Sequence, residues 1–104
     1  MIVAGSYGGR RNRRTGGGYR VRIKPRDRDK CFRQTWASVT VEFDNGGVVR
    51  ARLSPSFWRT CPELRRKEIE KWMIDQGFAR WQKGKPPKFR LDPIGDRRFR
   101  LSRL

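Results

Sequence analysis

The stretch TWASVTVEFDNGGVVRARL, residues 35–53, decides how this chain is read. Side chains on a strand alternate between two faces. Ala37, Val39, Val41 and Phe43 therefore share one side, and Trp36, Ser38, Thr40 and Glu42 share the other. Asp44-Asn45-Gly46-Gly47 follows, and Asn-Gly between alternating runs signals a hairpin, because a type I′ turn needs two positive φ angles. The returning run places Val49, Ala51 and Leu53 with the first apolar set and turns Arg50 and Arg52 outward. The expected product is a hairpin that is greasy on one face and cationic on the other.

The same alternation recurs on both sides of this hairpin. YRVRIKP, residues 19–25, sets Val21 and Ile23 against Arg20, Arg22 and Lys24 and ends at Pro25. KFRL and RFRLS, at 88–91 and 98–102, set Phe89, Leu91, Phe99 and Leu101 against Lys88, Arg90, Arg98 and Arg100, with DPIGD as the turn between them. RDRDK, residues 26–30, has nothing to bury and reads as a loop.

Residues 54–77 hold the one expected helix. Thr60 and Glu63 form a T-x-x-E capping box, in which each side chain satisfies a backbone N–H of the first turn, and Pro62 lies where its missing donor does no harm. Gly77 supplies a left-handed stop. Ile69, Trp72 and Met73 make the apolar stripe, with opposite charges such as Lys71 and Asp75 four residues apart on the wet side. Phe57, Trp58, Phe78 and Trp81 read as large side chains closing a small core.

Residues 1–18 combine glycine and arginine with few large apolar groups, so they read as a flexible basic arm, and residues 19–104 as a single domain. The expected fold is α+β. It has an antiparallel sheet of about five short strands, in the order β-β-β-α-β-β, with one helix packed on one face.

Composition narrows the function. The 104 residues carry 27 Lys and Arg against 10 Asp and Glu, a net charge of +17. That charge is unevenly placed: residues 1–33 hold 11 basic and 2 acidic groups and residues 80–104 hold 9 and 2, whereas residues 61–79 hold 4 of each. A neutral helix is a poor reader of a major groove. The charge lies instead on the arm, at Arg10, Arg11, Arg13 and Arg14, and on the free sheet face, at Arg20, Arg22, Lys24, Trp36, Arg50, Arg52, Arg90, Arg98 and Arg100.

Guanidinium groups at strand spacing suit phosphates or the O6 and N7 edge of guanine, and Trp36 adds a ring for stacking. The expectation is a non-enzymatic nucleic-acid-binding protein, DNA slightly favoured over RNA. Lys and Arg on strands are also ordinary protection against sheet-to-sheet aggregation. That use, however, would mix both signs, and Glu42 is the one acid expected on the outward sheet positions.

The alternative is a protein-interaction module, an inhibitor or subunit docking on an acidic protein or within a ribonucleoprotein complex, with Trp36 or Phe57-Trp58 as anchors. A metal nuclease would have to draw on Glu42, Asp44, Asp92 and Asp96, three of which fall in expected turns where aspartate serves local backbone bonding.

With no histidine, neither a neutral-pH general base nor a zinc site is expected from Cys31 and Cys61, which read as free thiols, a single bridge between them being left open. No cofactor and no metal are expected. No apolar run is long enough to cross a bilayer, so the reading is a cytoplasmic protein, nucleoid- or nucleic-acid-associated, without a membrane partner.

Overall fold

The computed structural model describes residues 1–8 and 18–104. The strands are β1 (Ile2–Tyr7), β2 (Tyr19–Arg22), β3 (Ser38–Phe43), β4 (Val48–Arg52), β5 (Glu63–Leu64), β6 (Lys88–Gly95) and β7 (Arg98–Arg103). Three short helices join them: α1 (Pro25–Cys31), α2 (Pro55–Arg59) and α3 (Lys67–Asp75). The strands form one sheet in the order β4-β3-β7-β6-β1-β2-β5. It curls into a nearly closed barrel with its seam between β4 and β5.

This corrects the expected antiparallel sheet of about five strands with one helix on a face. The sheet is mixed, because β3 runs parallel to β7, with Val41 opposite Phe99 and Phe43 opposite Leu101. Ile2–Tyr7, expected within the arm, is a strand inserted between β6 and β2. RDRDK is helical, opened by Pro25 at its first turn.

The expected capping box does not form. Thr60 ends α2, and Glu63 pairs with Arg22 in β5, where the main chain of Ile23 also donates to Pro62 O at 2.8 Å. Tertiary strand pairing therefore overrides a local helix signal. The helix starts instead at Arg66, which makes no side-chain cap. Its end follows expectation: Gly77 has φ +81°, and the N–H groups of Gly77 and Phe78 close on Ile74 O and Met73 O at 3.0 and 2.8 Å, a Schellman stop.

The two expected hairpins are present. In the first, Asn45 has an ordinary negative φ and Gly46 alone is positive, at +93°. With Gly46 N donating to Phe43 O, the turn is type I followed by a glycine bulge rather than type I′. In the second, β6 runs on through Gly95 and the turn falls on Asp96-Arg97 rather than across the whole DPIGD stretch.

The inward positions are those the alternation assigns: Val21, Ile23, Val39, Val41, Val49, Ala51, Phe89, Leu91, Phe99 and Leu101 are all buried. Aromatic rings plug the two ends of the barrel. Toward the start of β7, Phe32 stacks on Phe99 at 4.5 Å and meets Phe57 of α2 edge-on at 5.1 Å. Toward the end of β3, Trp72 of α3 packs on Phe43, Phe78 and Phe89. The Trp72 indole N–H donates to Asp44 Oδ1 at 2.9 Å, tying the helix to the first hairpin's turn. Among the described residues no helix is long and apolar enough to cross a membrane.

Candidate functional site

A nearly closed barrel has no single open face, so outward side chains radiate around its wall. Register then decides which cations meet. Arg50 of β4 lies opposite Thr40 of β3, and Thr40 lies opposite Arg98 of β7. With adjacent strands about 4.8 Å apart, the Arg50 and Arg98 backbones are about 10 Å apart. Arg52 lies one step along β4, opposite Ser38, and Arg100 one step along β7, opposite Glu42 and Asp92. Arg90 of β6 follows, opposite Ser102.

Arg52, Arg50, Arg98, Arg100 and Arg90 thus form a diagonal band across four consecutive strands, and all five are exposed. Arg50, Arg52 and Arg100 have no ion-pair partner among the described residues. Arg98 holds Glu42 at 3.3 Å and Arg90 holds Asp92 at 3.4 Å, so two acids border the band, not Glu42 alone.

Arg20 and Arg22 belong elsewhere. They project from β2 toward Glu63, the one charged side chain buried among the described residues. Arg20 Nη1 lies 3.1 Å and Arg22 Nε 3.3 Å from its carboxylate, Arg65 Nη2 3.3 Å, and the Ser6 hydroxyl donates at 2.7 Å. Burial raises the Glu63 pKa, but the Ser6 hydrogen bond and the Arg20 and Arg22 guanidinium groups outweigh it and hold the carboxyl below its ordinary value. These arginines satisfy an internal acid. Lys24 is exposed just before α1 and lines an open pocket with Arg22 and Lys88, beside β1.

Trp36 is not on the outward face. The strand begins only at Ser38, and the Trp36 ring turns edge-on to Phe32 at 6.4 Å and to Phe99 at 6.5 Å, half-buried at the barrel end. Arg10, Arg11, Arg13 and Arg14 lie outside the described residues.

The structure adds an aromatic shelf that sequence reasoning missed. Tyr7 and Tyr19 face each other across the end of β1 and β2, with ring centroids 5.0 Å apart, and Trp81 lies 5.5 Å from Tyr19. With Arg80 and Lys83 they line an open pocket of about 360 Å³. Trp81 packs half-buried against the core, as its reading as a core-closing side chain has it, and its ring also borders Tyr19. Tyr7 falls in the stretch read as an arm, and the missed signal is its spacing from Val3 and Gly5, which puts the three on one side of a strand.

The four carboxylates considered for metal chemistry do not converge. Glu42 pairs with Arg98, and Asp44 bonds Trp72 and the main chain of Arg103. Asp92 holds the Met1 amine at 2.9 Å, and Asp96 sits 4.0 Å from Arg97. Cys31 and Cys61 are both free thiols. No protein-family model matches this chain, and neither a curated protein nor a solved structure was found to match it.

Proposed function

We propose that the protein binds nucleic acid, DNA ahead of RNA, through the arginine band on the β4-β3-β7-β6 wall, without catalysing a reaction on it. The observation that carries this reading is the band itself: five exposed arginines from β4, β7 and β6 on a diagonal across a four-stranded wall, three of them without an ion-pair partner among the described residues. Ion-paired surface arginines would serve solubility alone. Unpaired ones held at fixed intervals on a rigid wall are poised for a partner with repeating negative charge. Arg10, Arg11, Arg13 and Arg14, carried between β1 and β2, add four further cations to the same molecule.

Arg50→Glu combined with Arg52→Glu tests the reading. Both side chains are exposed and neither anchors an internal contact, so the melting temperature is expected to stay within a few degrees of wild type. Affinity for duplex DNA at moderate salt is expected to fall at least tenfold, since two phosphate contacts become repulsions. Unchanged affinity would remove the band from the binding surface. Stoichiometric capture of one acidic protein, with negligible affinity for free oligonucleotides, would favour a protein-interaction module instead.

A further inference from the structure

We infer that the Tyr7–Tyr19–Trp81 shelf is a second subsite, one that stacks the unpaired bases of single-stranded nucleic acid. The inference rests on the nucleic-acid reading above but on different residues. Three aromatic side chains gather at one end of the β1-β2 ladder, and Tyr7 is 50% exposed although burial would stabilise it. The rings are tilted by 52° and 56° to one another rather than stacked flat. Their faces are therefore not fully consumed by each other.

Arg80 and Lys83 line the same pocket, so a stacked base would place its phosphates near two cations, the combination that single-strand sites use. Arg80 holds φ +60°, a left-handed conformation that disfavours a side chain and here marks a constrained residue beside the pocket. The chain leaves the shelf at Gly8 and returns at Gly18, whose carbonyl accepts from Gly8 N at 2.9 Å. Tyr19 and Trp81 are half-buried and Tyr7 presents the exposed ring, while the Glu70 carboxylate accepts from the Tyr19 main-chain N–H at 2.7 Å. Charge selects the occupant: the two cations of the pocket outnumber that acid, and cations beside an exposed aromatic ring match a polyanion carrying flat bases. Duplex DNA offers no free base faces, whereas a single strand does.

The test measures binding of the full chain to oligo(dT), oligo(U) and duplex DNA of equal length, with Tyr7→Ala, Tyr7→Ala/Trp81→Ala and Tyr7→Phe/Trp81→Phe. Loss of two stacking faces is expected to lower single-strand affinity about tenfold or more. Duplex affinity should stay within about twofold, and the Phe pair should restore single-strand binding. Tyr7→Ala alone, at an exposed position, should give a smaller loss in a protein that keeps its wild-type melting temperature. A larger loss on oligo(U) than on oligo(dT) would assign the subsite to RNA, and the reverse to DNA.

Single-strand affinity that is unchanged in both alanine variants overturns the shelf, as does an equal loss on duplex. Duplex binding by wild type without single-strand binding overturns the shelf while leaving the arginine band intact. Failure to bind any of the three polymers overturns both.

Discussion

Glu63 shows how one side chain sets the boundary between internal and external charge. Its carboxylate side chain is only 3% exposed and is surrounded by Arg20, Arg22, Arg65 and the Ser6 hydroxyl. An acid buried this deeply is tolerated because the cations and the hydroxyl replace water. Since its folded pKa lies below the unfolded value of about 4.3, it contributes stability above that pH and loses it as pH falls through the folded value. Glu63→Gln is therefore expected to cost about 2 kcal/mol at pH 7, chiefly because the largely buried Arg20 loses its counter-charge, while the more exposed Arg22 and Arg65 remain in water. The deficit should shrink as the medium is made more acidic than the folded pKa, where the wild-type carboxyl is itself neutral. Urea unfolding of both proteins at neutral and strongly acid pH checks this. Sequence alone assigned Glu63 to a helix cap, since T-x-x-E is a local pattern and the arginines that claim the acid lie about forty residues away in β2.

At the level of elements, legibility followed how much of an element's stability is written in its own residues. The β3-β4 hairpin was readable because Val39, Val41, Val49 and Ala51 alternate without a break and a glycine sits where the chain must reverse. β1 was not. Its inward positions are Val3 and Gly5, and a glycine supplies no apolar signal, so the strand is specified by its neighbours Phe89 and Val21. α1 was invisible because none of its residues is buried, and its helix follows from Pro25 at the first turn and from Arg28 reaching Phe57 O at 3.2 Å.

The start of α3 carries a prediction of the same kind. Arg66 occupies the N-cap with extended dihedrals and no side-chain cap, and its ion pair with Glu68, 3.5 Å on the surface, contributes little. Arg66→Asp should raise stability by about 1 kcal/mol, by bonding free N–H groups and placing negative charge at the helix start. Thr60→Ala should change it by less than about 0.5 kcal/mol, since Thr60 caps nothing at that helix. Chemical denaturation of the two variants separates this structure from a capping-box helix, in which Thr60→Ala would itself cost about 1 kcal/mol.

For the molecule as a whole, strand parity was legible and closure was not. Alternation correctly sent Arg50, Arg52, Arg90, Arg98 and Arg100 outward, because each is flanked by residues the core claims. It had no means of showing that the sheet goes on to wrap around, since that depends on β1 pairing with β6, β5 with β2 and β3 with β7, contacts between segments far apart in sequence. Closure converted one expected cationic face into a band of five arginines, a separate cluster around Glu63, and an aromatic shelf flanked by Arg80 and Lys83. Trp36, assigned to the open face by extending the alternation two residues too far, became part of the barrel's plug.

The salt dependence of duplex binding tests the band most directly, because it counts phosphates rather than merely detecting affinity. For wild type engaging about six phosphates, log K should fall against log salt with a slope of about −5. Arg50→Ala with Arg98→Ala and Arg100→Ala should flatten that slope by about 3. Identical slopes for the two proteins, or a wild type that leaves duplex DNA unbound at the lowest salt, would contradict the account.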